Sequence, residues 1–127
     1  MRIFAPYRDH AYAIFRFMSG ALFACHGAQK LFGALGGHKV SDPLMLVGGI
    51  IEFVGGLMIA LGFFAAIAAF IACGEMAVAY FKAHAPGGFW PIENKGELAV
   101  LYCFVFLYIA AHDSGRIAID RPFRRKA

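Results

Sequence analysis

Long apolar runs interrupted by single charges set the pattern of this chain. From Pro43 to Phe81 only Glu52 and Glu75 are charged. Such a stretch would form a helix of about 58 Å, roughly twice the 30 Å hydrocarbon core of a bilayer. It therefore predicts two passes. Gly62, followed by Phe63-Phe64, is the expected hairpin point, with spans at about 44–61 and 63–82. A single span over Phe53–Gly74 would strand Leu44–Ile51 and Met76–Phe81 in water.

A first span is expected at about 10–35, interrupted by Arg16, His26, Gln29 and Lys30. A cleaved signal peptide needs a clean apolar core, so these polar residues exclude one. Gly36-Gly37 and Ser41-Asp42-Pro43 open a loop. His84-Ala85-Pro86-Gly87-Gly88-Phe89-Trp90-Pro91 reads as a breaker-rich connection, with Trp90 suited to a membrane interface. A last, short span is expected at about 96–112, ended by Asp113-Ser114-Gly115.

Composition agrees with this pattern. The chain has 127 residues, 61% apolar and 16% charged, against about 45–50% and 25% in ordinary soluble domains. A soluble domain of this size leaves about a third of its unfolded-chain surface wet, too much for that apolar content. Aromatic residues make up 16% of the chain and exclude disorder. Three cysteines are too few for a disulfide scaffold. The reading is one all-α domain, 1–127, an integral membrane four-helix transmembrane bundle in contact with the lipid bilayer.

Charge sets the expected topology. Arg2, Arg8, Arg116, Arg121, Arg124, Arg125 and Lys126 lie with the termini, and Lys30, Lys39, Lys82 and Lys95 lie at or near the other face. Positive charge accumulates on the cytoplasmic side, so both termini are placed in the cytoplasm. The basic tail is too short for a nucleic-acid arm and suits anionic lipid instead.

Candidate chemistry lies inside the spans. Gly48, Gly49, Gly55 and Gly56 flank Glu52 at helical spacing, so a neighbouring helix can approach that face and Glu52 points into the bundle. Ala65, Ala68, Ala72, Glu75, Ala79 and Lys82 repeat the pattern in the third span. At 1.5 Å per residue, His26, Lys30, Glu52 and Glu75 converge on one layer in the outer half of the membrane. Glu97 and His84 fall near the outer rim. A carboxylate at such depth costs about 2.5–3.5 kcal/mol unless it pairs or protonates. Two readings stay open: a proton-coupled or ligand-binding pocket, and a structural ion pair of Lys30 with Glu52 or Glu75. Arg16 either snorkels to the cytoplasmic edge or pairs with Asp113, a lipid or a quinone head group.

No Glu-x-x-His spacing supports a metal site. Cys25, Cys73 and Cys103 fall on three spans, at about 21, 15 and 20 Å from the inner face, without a Cys-x-x-Cys motif. They are expected to be reduced and inert. Nucleotide-binding and hydrolase signatures are absent, as is Cys-x-x-Cys-His for covalent haem.

Arg16-Phe17-Met18-Ser19-Gly20, Phe23 and His26-Gly27-Ala28-Gln29-Lys30-Leu31-Phe32-Gly33 resemble the first helix of the DoxX family. Gly48 to Gly56 with Leu61-Gly62 resembles its second helix. Gly88-Phe89-Trp90-Pro91, Asn94-Lys95-Gly96-Glu97 and Tyr102 resemble its outer loop and fourth helix, and Gly115 to Asp120 its closing segment. The resemblance covers nearly the whole chain. It implies a four-helix bundle of the bacterial inner membrane, linked in some members to quinone-dependent oxidoreduction. Arg16, His26, Lys30, Glu52 and Glu97 match the family pattern, whereas Glu75 rests on depth alone.

The leading expectation is a small redox-associated inner-membrane subunit that binds a quinone or similar small molecule, with a partner oxidoreductase subunit or as a homo-oligomer. Glu52 and Glu75 would take protons, and His26 and Lys30 would orient an anionic ligand. The alternatives are a non-catalytic scaffold or chaperone-like subunit with a structural ion-pair network, and a small transporter.

Overall fold

Residues 2–124 are described by the structure, a computed structural model. Arg125 and Lys126, counted above in the basic tail, lie outside the described residues. Among the described residues the fold is all-helical, with no strand.

Local signals account for the helix ends. Pro6 lies in a 3-10 turn, Ala5–Tyr7, that leads into α1 (Arg8–Phe32). Gly33 then takes a left-handed conformation, φ 65°, and its N–H donates to Gln29 O at 3.1 Å. Glycine adopts that conformation without steric cost, so the helix stops there, short of Leu35. Asp42 starts α2 (Pro43–Leu61): its carboxylate accepts the Met45 N–H, and Pro43 fits the first turn, where no N–H is required. At the far end Gly62 is left-handed, and Phe63 N–H donates to Met58 O at 2.8 Å.

After this turn comes α3 (Ala65–Gly87). It is regular to Ala79, widens to a π-helix over Tyr80–His84 and tightens to a 3-10 turn over Ala85–Gly87. The helical path thus continues into the segment expected to be a connection. Pro86 is tolerated because the chain there has left the α-helical ladder. A short helix, α4 (Pro91–Asn94), precedes α5 (Glu97–His112), and a 3-10 turn at Arg121–Phe123 follows. A second π segment, Ile51–Gly55, lies within α2 and carries Glu52.

By length and composition α2 and α3 can each cross a membrane, while α5 is apolar but shorter. Large apolar side chains face outward, among them Leu22, Ile67, Phe70, Leu101 and Phe104. An apolar exterior of this extent needs a cover of comparable polarity, and lipid supplies one.

The broadest contacts join α3 to α5 and α1 to α2. Small residues make both possible. Alanines at 65, 68, 69 and 72 of α3 are buried beside Ala99, Phe106 and Ile109 of α5. On α1, Gly20 lies against the backbone of Gly56 and Ala60. In lipid this packing, more than hydrophobic transfer, holds helices together.

Arg16 is buried at the α2–α3 turn, not snorkelling to the edge and not paired with Asp113. Its guanidinium donates to Ile59 O and Ile117 O, each at 2.9 Å, to Ala60 O at 3.4 Å and to Ser114 O. The correction has a physical cause. Carbonyls at the end of a helix run short of N–H partners (Ile59 O keeps only the Gly62 N–H, at 3.2 Å), and a cation there meets their remaining acceptor capacity. The opposite ends are met likewise. Asp120 accepts the Phe64 N–H at 2.8 Å, and Ser114 Oγ accepts the Ala65 N–H at 3.3 Å and donates to Asp120 at 2.9 Å. The first N–H groups of α3 are therefore capped by residues about fifty positions downstream.

Candidate functional site

A cavity of about 840 Å³ opens among α1, α2, α3 and α5. Four residues singled out from the sequence line it: His26 and Lys30 from α1, Glu52 from the π segment of α2, and Glu75 from α3. A π segment adds a residue to the turn and re-aims the side chains it carries.

Lys30 Nζ lies 2.8 Å from both carboxylate oxygens of Glu52. The Glu52 side chain is 4% exposed and that of Lys30 27%. A methyl group at Gly48 would sit 3.1 Å from Glu75 Oε1 and 3.9 Å from Lys30 Nζ. The absence of a side chain there gives room for both charged heads. Glu75 Oε2 is buried and finds no hydrogen-bond partner among the described residues. His26 stands edge-on to Tyr102 of α5, with ring centroids 6.0 Å apart.

The rest of the wall is mainly apolar, with Leu44, Ile51, Ile71, Val78 and Leu98. Lys82, His84 and Lys95 add polar groups toward the ends of α3 and α5. Such a space suits an amphipathic molecule: apolar walls take its body, and the charged cluster takes its polar end. A carboxylate with a free oxygen can exchange a proton with a ligand, and an ammonium stabilises an anionic oxygen.

Two other candidates lie elsewhere. Arg16 is at the α2–α3 turn, with its donors spent on backbone carbonyls, and does not line the cavity. Glu97, the first residue of α5, is exposed and also outside the lining, although Lys95, Leu98 and Ala99 belong to it. Tyr102 was quoted from the sequence only as part of a resemblance. Its inward place follows from the apolar series Ala99, Tyr102, Phe106 and Ile109, buried at steps of three and four.

A larger cavity, about 1320 Å³, lies by the start of α1 and the end of α5. Arg8, Arg116, Arg121 and Arg124 surround it, with Tyr12 and Tyr108. Asp9 lies 3.8 Å from Arg116, and Asp120 2.9 Å from Arg124.

All three cysteines are free. Cys73 and Cys103, which the sequence places at different depths, meet: their sulfurs lie 3.6 Å apart between α3 and α5. Depths counted from the membrane face missed this. Counted from the first residue of α3 and the last of α5, the two sulfurs are level, about 12 and 14 Å in. Cys25 is exposed on α1.

A family model described as DoxX matches residues 11–85. An "Uncharacterized protein" of Haemophilus influenzae is 41% identical over 128 residues, covering 94% of this chain and 96% of that protein. No solved structure matches.

Proposed function

The chain belongs to the DoxX family of small membrane proteins, and from that premise we propose that it is a redox-associated subunit of the bacterial inner membrane. In this reading α1, α2, α3 and α5 each cross the bilayer as a four-helix bundle, with both termini in the cytoplasm. The gathering of Arg8, Arg116, Arg121 and Arg124 at one end supports that orientation.

The cavity takes a quinone or a similarly amphipathic small molecule. One observation carries this reading: Lys30, Glu52 and Glu75 meet in a space whose other walls are largely apolar. A quinone needs a donor at a carbonyl oxygen and a route for protons. Lys30 supplies charge near that oxygen, Glu75 holds or releases the proton, and His26 orients the ring. Glu52 keeps Lys30 in place. A partner oxidoreductase subunit or a second copy of the chain would complete the electron path.

A second reading is favoured by the completeness of the Lys30–Glu52 pair, which already joins α1 to α2. In a scaffold or chaperone-like subunit that pair would fix helix register and bind nothing. The experiment is extraction of the protein in mild detergent, followed by mass spectrometry of the bound small molecules. A quinone held by wild type and lost from a folded Glu75→Gln variant supports the pocket. A folded wild type that carries no lipophilic small molecule, and takes up none of an added short-chain quinone, selects the scaffold.

A further inference from the structure

Cys73 and Cys103 face each other across the α3–α5 contact, with 3.6 Å between sulfurs. Both are half-buried, and buried alanines at 69, 72 and 99 let the two helices approach there. Neither cysteine lines the charged cavity, but near neighbours of both on the same two helices do. Glu75 follows Cys73 by two residues, Tyr102 immediately precedes Cys103, and both line that cavity. A covalent link at this point would tie together the two helices that present Glu75 and Tyr102.

We propose that Cys73 and Cys103 form an oxidisable dithiol, which a hydroperoxide dissolved in the bilayer converts to a disulfide locking α3 to α5. The inference does not depend on a quinone in the cavity. In the first step one cysteine sulfur attacks the terminal oxygen of the hydroperoxide. The O–O bond breaks, the thiol proton goes to the departing oxygen, and an alcohol leaves. The attacking cysteine is now a sulfenic acid. In the second step the other sulfur attacks it and the S–O bond breaks. The hydroxyl leaves as water with the proton of the second thiol. The two cysteines lose two electrons, and the hydroperoxide is reduced to an alcohol and water.

The sulfurs are already in contact, and bond formation needs them at about 2.05 Å. Side-chain rotation and a small closing of the helices cover that difference. Cys25, on the outer surface of α1, has no such neighbour among the described residues.

The test uses the full chain in phosphatidylcholine vesicles, treated with cumene hydroperoxide and then unfolded in SDS with N-ethylmaleimide. Intact mass and peptide mapping follow. Untreated protein should take three maleimides, one for each free cysteine. Treated wild type should take one, weigh about 2 Da less before alkylation, and regain all three sites on reduction. The map should join the Cys73 and Cys103 peptides, and Cys25→Ser should still form the link. Cys73→Ala and Cys103→Ala should instead carry added oxygen on the remaining cysteine. Three maleimides on treated wild type, or a link that maps to Cys25 or joins two chains, would overturn the proposal. The wild-type map decides the matter even where an alanine variant folds poorly.

Discussion

Lys30 and Glu52 share one ion pair but not one environment: both contacts are 2.8 Å, yet Lys30 is 27% exposed and Glu52 only 4%. Removing either partner therefore has unequal consequences. Lys30→Met leaves a carboxylate buried without its counter-charge, which costs about 3–5 kcal/mol. Glu52→Gln leaves an ammonium on a flexible stem that can swing toward water or Glu75, so the loss should be smaller, roughly 1–2 kcal/mol. Thermal melts of the two variants in the same detergent check this order. A Glu52→Gln protein less stable than Lys30→Met would contradict it.

Neighbouring glycines should respond in opposite ways. A methyl group at Gly56 would lie 2.6 Å from Ala24 N and Gly20 O, both backbone atoms that cannot rotate away. Gly56→Ala should force α1 from α2 and cost at least the roughly 1–3 kcal/mol of ordinary overpacking. Gly55 has nothing within 4 Å of the same position. Gly55→Ala should be neutral or stabilise by up to about 1 kcal/mol through helix propensity. Equal melting temperatures for the two variants would show that the helices do not meet as described.

Arg16→Lys keeps the positive charge but not the planar fork that reaches four carbonyls. A loss of at least about 2 kcal/mol is expected. Trypsin should also cleave sooner after Arg116, because the closing segment loses its hold through Ser114 O and Ile117 O. Wild-type cleavage kinetics in the lysine variant would mean that the other bonds to the turn, Ile119 N–H to Leu61 O and Asp120 N–H to Gly62 O among them, hold the segment without Arg16.

Orientation is open to a direct check. Reporter fusions after Ala127 and within Gly36–Lys39 should report opposite sides of the membrane if four helices cross it. Reports from the same side would reject that arrangement.

Much of the helical frame was legible because its signals are local. Asp42-Pro43 and Gly62 act through their own φ angles and hydrogen bonds, which spacing reveals. The shared depth of Lys30, Glu52 and Glu75 was legible because rise per residue is nearly constant. Relations that depend on rotation or on distant backbone were not. Arg16 bonds to carbonyls, and every residue has one, so its charge drew attention to Asp113 and lipid instead. Cys73 and Cys103 meet because of how α3 and α5 are turned toward each other, which depth does not record. Ser114 and Asp120 cap a helix that begins some fifty residues earlier, beyond any capping pattern read along the chain. The two π segments left no compositional mark.

The closure of the α2–α3 turn by Ser114 and Asp120 sets an order of manufacture. Phe64 and Ala65 leave the ribosome 56 and 49 residues before the partners that satisfy their N–H groups. At about 5–20 residues per second that interval is on the order of seconds. During it the newborn hairpin carries open backbone donors, which water and lipid head groups tolerate but hydrocarbon does not. A hairpin tip in that state is kept out of hydrocarbon until Ser114 and Asp120 have emerged. The segment from Ser114 to Asp120 then docks on a turn made about fifty residues earlier, and its arrival closes that turn.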